Sequence, residues 1–231
     1  MHYFVISMSP EHQMDGSIIQ NCLSTRSGMR NKRQDIVDAA LSLFRDNGFH
    51  AVGIDRVIAE SGVAKMTMYK YFSSKNALIE AVLRERDERF RESLSAFLQR
   101  EPKGRERVRA VFRWHEQWLK EPSFHGCMFI NAAAEFPGVA SSIVLTAAQH
   151  KWAMRLLIQE TLDDVVPCDR IPPLANHLML LLDGAIVAAQ IGDAAAIGNA
   201  WQAAEQLLRQ ADPSGASKAS TAARTTRAAW R

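Results

Sequence analysis

Apolar residues recur at helical spacing through almost the whole chain, and this periodicity most constrains the fold. In the first organised stretch Ile36, Ala39, Ala40, Leu43 and Phe44 fall at i, i+3, i+4, i+7 and i+8. This spacing places them on one face of an α-helix. No segment alternates between apolar and polar residues as a half-buried strand does, and no internal repeat is visible. The sequence therefore predicts an all-α fold.

Glycine and proline divide this pattern into about nine helices. The predicted helices lie at about 30–47, 65–71, 75–100, 104–120, 126–136, 139–163, 173–191 and 193–210, and a short second helix marked by Ile54, Val57 and Ile58 is broken by Gly62. Residues 1–28 lack periodicity, and residues 212–231 are small, polar and basic. We therefore expect both ends to be disordered.

Charge is unevenly distributed along the chain. Residues 26–75 hold nine basic and five acidic side chains, whereas residues 76–211 hold 15 basic and 17 acidic ones. A basic first third on a slightly acidic body indicates a polyanionic partner for the first third alone. We therefore divide the organised part into a domain of residues 29–75 and a domain of residues 76–211.

Several classes of protein find no support in the sequence. The three cysteines, Cys22, Cys127 and Cys168, are far apart and odd in number, which disfavours a disulfide framework and agrees with a reducing cytoplasm. No cluster has the spacing of a metal site, so neither a metal nor another cofactor is expected. No nucleophile with its base, paired carboxylates or phosphate loop is present, so we predict that the chain is not an enzyme.

The sequence also predicts no association with a membrane. Its beginning has no basic region before an apolar one, so it does not resemble a secretory signal. The most apolar segment, residues 174–191, is interrupted by polar side chains and is short for a transmembrane helix. We expect it to be a buried helix.

The second and third predicted helices have the proportions of a helix-turn-helix. Gly62 adopts a left-handed conformation at little steric cost, and Val63 fills the angle between the helices. In such a unit the second helix lies in the major groove of DNA and its first residues reach base edges. The predicted base contacts are Lys65, Met66, Thr67 and Met68, and the predicted phosphate contacts are Tyr69, Lys70 and Lys75.

Two features of this helix leave alternatives open. Met66 and Met68 carry flexible apolar side chains that either touch thymine methyl groups or fill space. Tyr71 and Phe72 lie away from Lys70, and we expect them in the core.

Residues 33–83 resemble the DNA-binding domain of TetR-type (tetracycline-repressor-like) transcriptional regulators. The resemblance rests on the amphipathic first helix, NGF, the GV turn, MYKYF and SSKNALI, which follow the order and spacing of the family. GCMFINAAAEF (126–136) and LLLDGAIVAAQI (180–191) resemble the ligand-binding half of one branch. The chain departs from the family at Val52-Gly53 and Ala64, where side-chain caps are missing, and at Ile58, where a small residue is usual.

The resemblance implies a homodimeric regulator that binds a near-palindromic operator in double-stranded DNA. It also implies a repressor that a small, apolar or aromatic inducer releases; an activator of the same family is the alternative. The expected dimer contacts, which otherwise pack inside one subunit, are Ala147, Ala148, Leu178, Leu181, Leu182, Ala185 and Ala189.

The family holds its inducer among the middle helices. Candidate apolar contacts, each of which ordinary core packing explains equally well, are Trp114, Trp118, Phe129, Phe136 and Met179. Candidate polar contacts are Asn131, His150 and Asp183. Cys127 begins a predicted helix, where a thiol can have a lowered pKa, so an oxidant-responsive regulator is a further alternative. An adaptor without DNA binding is disfavoured by the intact basic helix.

Overall fold

The computed structural model describes residues 31–138 and 141–211, and this part of the chain contains nine α-helices and no strand. They are α1 (Lys32–Asn47), α2 (Ile54–Ser61), α3 (Lys65–Tyr71), α4 (Lys75–Leu98), α5 (Arg105–Leu119), α6 (Met128–Glu135), α7 (Ser142–Leu162), α8 (Ile171–Gln190) and α9 (Ala196–Ala211). A short 3₁₀ helix, Cys168–Arg170, precedes α8. The all-α prediction is confirmed; the predicted disordered ends lie outside the described residues.

Helices α1 to α3 form the compact amino-terminal unit. The α1 stripe that contains Ile36, Ala40 and Phe44 is buried, as its helical spacing requires. Gly62 ends α2 at φ 67°, and its N–H donates to the Ile58 carbonyl over 3.1 Å. A left-handed residue at this point turns the chain directly from α2 into α3.

Two of these helices begin without a side-chain cap, as the sequence indicates. The residues at the cap positions of α2 and α3 are Gly53 and Ala64, and neither supplies a capping hydrogen bond. The start of α4 differs, because Ser74 Oγ accepts a hydrogen bond from Ala77 N–H at 3.1 Å. Each missing cap leaves backbone donors of the first turn to solvent and costs about 1 kcal/mol.

Helix α4 joins the amino-terminal unit to the rest of the molecule. It packs against α1 and also against α5 and α7, and its inner residues include Ile79, Leu83 and Leu94. The predicted boundary between residues 75 and 76 thus falls at the first turn of a continuous helix. That division into two domains stays a prediction.

The remaining helices form a bundle around one connected hydrophobic core. Helix α8 packs against both α7 and α9, and α6 packs against α7. Among the described residues, Cys168–Gln190 is the one stretch long and apolar enough to cross a membrane. Its buried side faces the bundle, as in a core helix, but Leu180, Val187 and Ile191 remain exposed. The predicted buried helix is therefore buried on one side and exposed on the other.

Candidate nucleic-acid interface and interior aromatic cluster

Helix α3 presents a continuous exposed face of basic and amphipathic side chains. Lys65, Met66, Tyr69 and Lys70 lie on this face, and the side chains of Met66 and Tyr69 are 81% and 46% exposed. Their spacing of i, i+1, i+4 and i+5 gathers them on one side of a two-turn helix. Such a surface suits a groove lined with phosphates and base edges.

The opposite face of α3 is buried, and this corrects one predicted contact. Met68 is fully buried with Phe72 in the core, because residues four apart share a helix face. Met68 therefore does not face base edges as predicted. Tyr71 is also placed differently from the prediction, since its side chain is 41% exposed rather than in the core.

Three predicted contacts are half-buried or have a partner within the protein. Thr67 is half-buried. Lys65 Nζ lies 3.3 Å from Asp55 Oδ1, and both side chains are exposed, so the pair holds Lys65 only weakly. Lys75 Nζ donates to the His50 carbonyl over 3.3 Å, and burial lowers the pKa of Lys75 while the charge of Glu135 opposes the shift. Their roles in binding DNA stay predictions.

The carboxyl end of α6 holds the turn that follows α1. The Glu135 carboxylate accepts hydrogen bonds from the N–H groups of Phe49 (3.0 Å) and His50 (2.7 Å). His50 Nε2 in turn hydrogen-bonds with the Glu135 carbonyl at 2.7 Å. The Phe136 ring lies 4.6 Å from His50 and 6.0 Å from Phe49 between centroids. These contacts of Glu135 and Phe136 are called the α6 junction below.

The α6 junction corrects the predicted place of Phe136. Within the described part of the chain, the Phe136 ring contacts the rings of Phe49 and His50 and not those of the other candidate ligand residues. Phe136 ends α6 as its C-cap residue, seven residues after Phe129. The two rings are therefore about two helical turns apart, and they serve different parts of the molecule.

An aromatic cluster, formed by residues Phe90, Trp114, His115, Trp118, Phe129 and His150, fills the space among α4, α5, α6 and α7. The Phe90 centroid lies 4.6 Å from Trp114 and 5.2 Å from Trp118, both edge to face. Phe129 stacks on His150 at 3.6 Å. Four candidate ligand residues therefore come together.

Buried polar groups in and beside the cluster are mostly paired. His150 Nδ1 lies 2.7 Å from Asp87 Oδ1, and Lys151 Nζ lies 2.5 Å from Asp183 Oδ1. Burial alone would raise the pKa of Asp87, but hydrogen bonds from His150 and Arg91 outweigh it and hold the pKa at about 2. Burial lowers the pKa of His150, and this effect outweighs the hydrogen bond with Asp87, which raises it. At neutral pH His150 is therefore a neutral donor to a carboxylate.

The other candidate ligand residues lie around this cluster. Asn131 is half-buried and its Nδ2 donates to the His125 carbonyl over 3.4 Å, whereas Met179 is buried on α8. Asp183 is occupied by Lys151. Binding of a ligand by any of these residues stays a prediction.

Four of the predicted dimer contacts pack within one subunit. Ala147, Leu178, Leu182 and Ala185 are buried in the core of the chain itself. Ala148 is exposed, and Leu181 and Ala189 are half-buried. The large apolar side chains exposed on α7 and α8 are Leu145, Trp152, Leu180, Val187 and Ile191.

Little in the sequence indicates the α6 junction. Glu135 and His50 are 85 residues apart, and nothing local to either residue indicates the other. The burial of Met68 can be predicted from the sequence, because Met68 and Phe72 are four residues apart and such residues share one face of a helix. Leu180 and Leu182 are both apolar, so composition alone does not tell the outer one from the inner one.

Comparisons with known proteins agree with this architecture. Residues 36–82 match the family model described as bacterial regulatory proteins, tetR family. The crystal structure of a TetR-family transcriptional regulator from Streptomyces coelicolor is similar over 78% of this chain and 95% of that chain, with 32% identity and a TM-score of 0.72.

Two curated relatives match over shorter stretches. An HTH-type transcriptional activator, FasR, from Mycolicibacterium smegmatis is 29% identical over 113 residues, which is 48% of this chain and 52% of FasR. The fatty acid metabolism regulator protein of Bacillus subtilis is 27% identical over 86 residues, which is 37% of this chain and 44% of that protein. This chain thus spans about half the length of these relatives.

Three findings agree with one another. Helix α3 has a basic exposed face, a glycine turn precedes it, and the chain is similar to a solved relative over 95% of that relative. The chain belongs to the TetR family of DNA-binding transcriptional regulators.

Proposed function

We propose that this regulator is a homodimeric repressor that a small, apolar or aromatic inducer releases from a near-palindromic operator. The observation that carries the proposal is the position of α6, which contacts the aromatic cluster near its start and the turn after α1 at its end. We retain the predicted division, with residues 29–75 binding DNA and residues 76–211 binding inducer and partner. Such a regulator acts in the cytoplasm, beside its operator.

Helix α6 is short enough to act as a rigid link. Phe129 stacks on His150 inside the cluster, and Glu135 accepts hydrogen bonds from Phe49 and His50 six residues later. Six residues of helix span about 9 Å. A ligand that displaces Phe129 therefore moves Glu135 and, with it, the turn after α1. Lys75 also moves, because its Nζ donates a hydrogen bond to the His50 carbonyl in that turn. Coupling of this kind is reciprocal, so operator and inducer each weaken the binding of the other.

The exposed apolar side chains of α7 and α8 support a dimer. Leu180 and Val187 follow one another at helical spacing along α8, Ile191 continues this row as the C-cap residue, and Trp152 is exposed on neighbouring α7. Gly184 is exposed in the same row and leaves room for a close helix approach. Contiguous exposed apolar surface on a water-facing helix marks an interface. A two-fold axis through it presents two α3 helices to matched half-sites.

Dimer formation has a direct test. Trp152→Glu combined with Leu180→Glu places charge in the proposed interface, and the variant should sediment as a monomer and lose operator binding. Gln206→Glu, exposed on α9, is the matched control and should remain dimeric. The proposed interface is contradicted if the double variant still forms dimers whose subunits associate as tightly as those of the parent.

Release by an inducer is tested with an operator selected from random DNA. Compounds that lower operator affinity of the parent should do so much less in Glu135→Ala, because the α6 junction is lost. Asp193→Ala, an exposed residue away from the junction, should respond as the parent does. Equal release of Glu135→Ala and the parent would rule out transmission through α6.

The sign of regulation is tested separately. We favour repression because a dimer bound across a promoter obstructs polymerase, whereas the curated relative FasR carries the description of an activator. A reporter under the selected operator should increase when the gene is deleted. A decrease would identify an activator.

Oxidant response through Cys127 is a second candidate, and one contact favours it. Cys127 Sγ lies 3.8 Å from Lys151 Nζ, so a basic side chain borders the thiol. The Cys127 side chain is nonetheless buried. If hydrogen peroxide releases the parent and Cys127→Ser equally from operator DNA, this candidate is excluded.

A further inference from the structure

Arg86 differs from the other arginines of the middle of α4. Arg84, Arg89 and Arg91 each contact a carboxylate, with nitrogen–oxygen distances of 2.9, 2.6 and 2.9 Å to Glu80, Asp38 and Asp87. The half-buried side chain of Arg86 instead lies against aromatic rings. It makes no hydrogen bond or ion pair with any residue of 31–138 or 141–211.

The guanidinium group of Arg86 rests on the aromatic cluster. Its central carbon lies 5.4 Å from the Phe90 ring centroid and 5.8 Å from the Trp118 centroid. Burial lowers the pKa of Arg86, and the nearby Cys127 and Glu121 oppose that shift. Glu121 does not form an ion pair with it; this exposed carboxylate accepts a hydrogen bond from Ser123 Oγ at 3.4 Å.

An unpaired guanidinium in this position is energetically unfavourable for the empty protein. It carries five N–H donors, and partial removal of a charged group from water without a protein partner is unfavourable; the Arg86 side chain is half-buried. Contact with aromatic rings offsets about 1–2 kcal/mol of this. The unmet donors are therefore available to an anionic group that arrives with a ligand.

A second polar group of the cluster lacks one partner. His115 is 2% exposed, and its Nδ1 donates to the Val111 carbonyl over 2.8 Å. Burial lowers the pKa of His115 to about 4, so the ring is neutral and Nε2 carries a lone pair. Nε2 has no hydrogen-bond partner in the described part of the chain. It can accept a hydrogen bond from a hydroxyl or amide.

We propose that Arg86 binds the carboxylate of an aromatic acid whose ring lies against Phe90 and Trp118. One guanidinium matches one carboxylate in a bidentate pair, whereas a doubly charged phosphate needs further unpaired cations, and Lys151 is already held by Asp183. The inference rests on the proposed inducer-responsive function and gives its ligand a chemical class.

The test compares acids with their uncharged amides. Benzoate, phenylacetate and cinnamate, and the three matching primary amides, are titrated into the full-length parent by calorimetry. At least one acid should bind about 10- to 100-fold more tightly than its amide, as expected for hydrogen bonds to a charged group. Arg86→Gln should abolish this preference, and Arg84→Gln, the exposed paired neighbour, should retain it.

Thermal unfolding of the ligand-free variants distinguishes a role of Arg86 in ligand binding from a role in the stability of the protein. Arg86→Gln removes an unpaired charge, so its melting temperature should equal or exceed that of the parent. A clear fall shows that Arg86 is structural and overturns the proposal. The proposal is also overturned if no acid binds, or if the preference for acids survives in Arg86→Gln.

Measurements of operator affinity distinguish failure of the proposed carboxylate site from failure of the proposed function. An acid that binds through Arg86 without changing operator affinity supports the site and contradicts release by that ligand class. Release by acid and amide alike, independent of Arg86, supports an inducer-responsive regulator and contradicts the carboxylate site.

Discussion

Helix α3 and the aromatic cluster both combine charged and apolar side chains, but they treat charge in opposite ways. On α3, Lys65 and Lys70 stand in water, where a charge needs no protein partner. In and beside the cluster, the Asp87 carboxylate accepts a hydrogen bond from His150 and the Lys151 ammonium group is paired with Asp183. Exposed charge remains free for a partner at little cost, whereas buried charge must be compensated. An unpaired charge is therefore informative inside the protein and ordinary outside it.

The same contrast holds for apolar groups. Met66 on α3 is almost fully exposed and Met68, two residues later, is fully buried. Burial of Met68 stabilises the amino-terminal unit, while exposure of Met66 leaves its flexible chain for an external surface. A core-packing face and an exposed face thus lie on opposite sides of one seven-residue helix.

The largest expected effect distinguishes these two faces. Met68→Ala should lower the free energy of unfolding by about 2–5 kcal/mol, because it leaves a cavity in the core. Met66→Ala, its matched control, should change that free energy by less than about 0.5 kcal/mol. Urea unfolding followed by circular dichroism measures both. Similar losses in the two variants would refute the assignment of faces.

Acid should weaken the interior more than the α3 surface. The folded pKa of His115 is about 4 against an ordinary value of 6.5, so the unfolded chain binds the proton first. This contribution to stability is complete above pH 6.5 and declines as the pH falls to 4, by about 3 kcal/mol. His115→Gln should flatten the pH profile of unfolding in this window. The exposed His177→Gln control should keep the profile of the parent; a steep profile in His115→Gln disproves the assignment.

Removing one exposed charge should affect DNA binding without affecting stability. Lys70→Ala should reduce operator affinity about 10-fold and lower the slope of log affinity against log salt by about 1, because one phosphate contact is lost. Fluorescence anisotropy at several salt concentrations measures both quantities. Lys103→Ala, on a distant exposed turn, is the control. An unchanged salt slope for Lys70→Ala would place this lysine away from the phosphates.

The smallest expected effect concerns the start of α3. Ala64 has an extended backbone, with φ −68° and ψ 146°, and supplies no cap. Ala64→Ser should therefore add a capping hydrogen bond and stabilise the protein by about 1 kcal/mol. Ala51→Ser, in an exposed turn, should have no such effect. No gain in melting temperature for Ala64→Ser would indicate that the first turn of α3 is already satisfied by solvent.

Much of the fold follows from local sequence. The helical spacing of Ile36, Ala40 and Phe44, the turn at Gly62 and the absence of caps at Gly53 and Ala64 all agree with the structure. These features depend on residues within a few positions of one another, so periodicity and backbone preference are sufficient to predict them. The exposed lysines and tyrosine of α3 were predicted for the same reason.

Other features were decided only by tertiary structure. Sequence spacing does not place Glu135 on the backbone of His50, or separate exposed Leu180 from buried Leu182. It also shows four arginines in the middle of α4 without indicating that Arg86 alone among them lies against aromatic rings and lacks a carboxylate. Each of these depends on which distant helix covers a given face. Local sequence determines where helices begin and end, but packing between helices determines which charge remains unpaired.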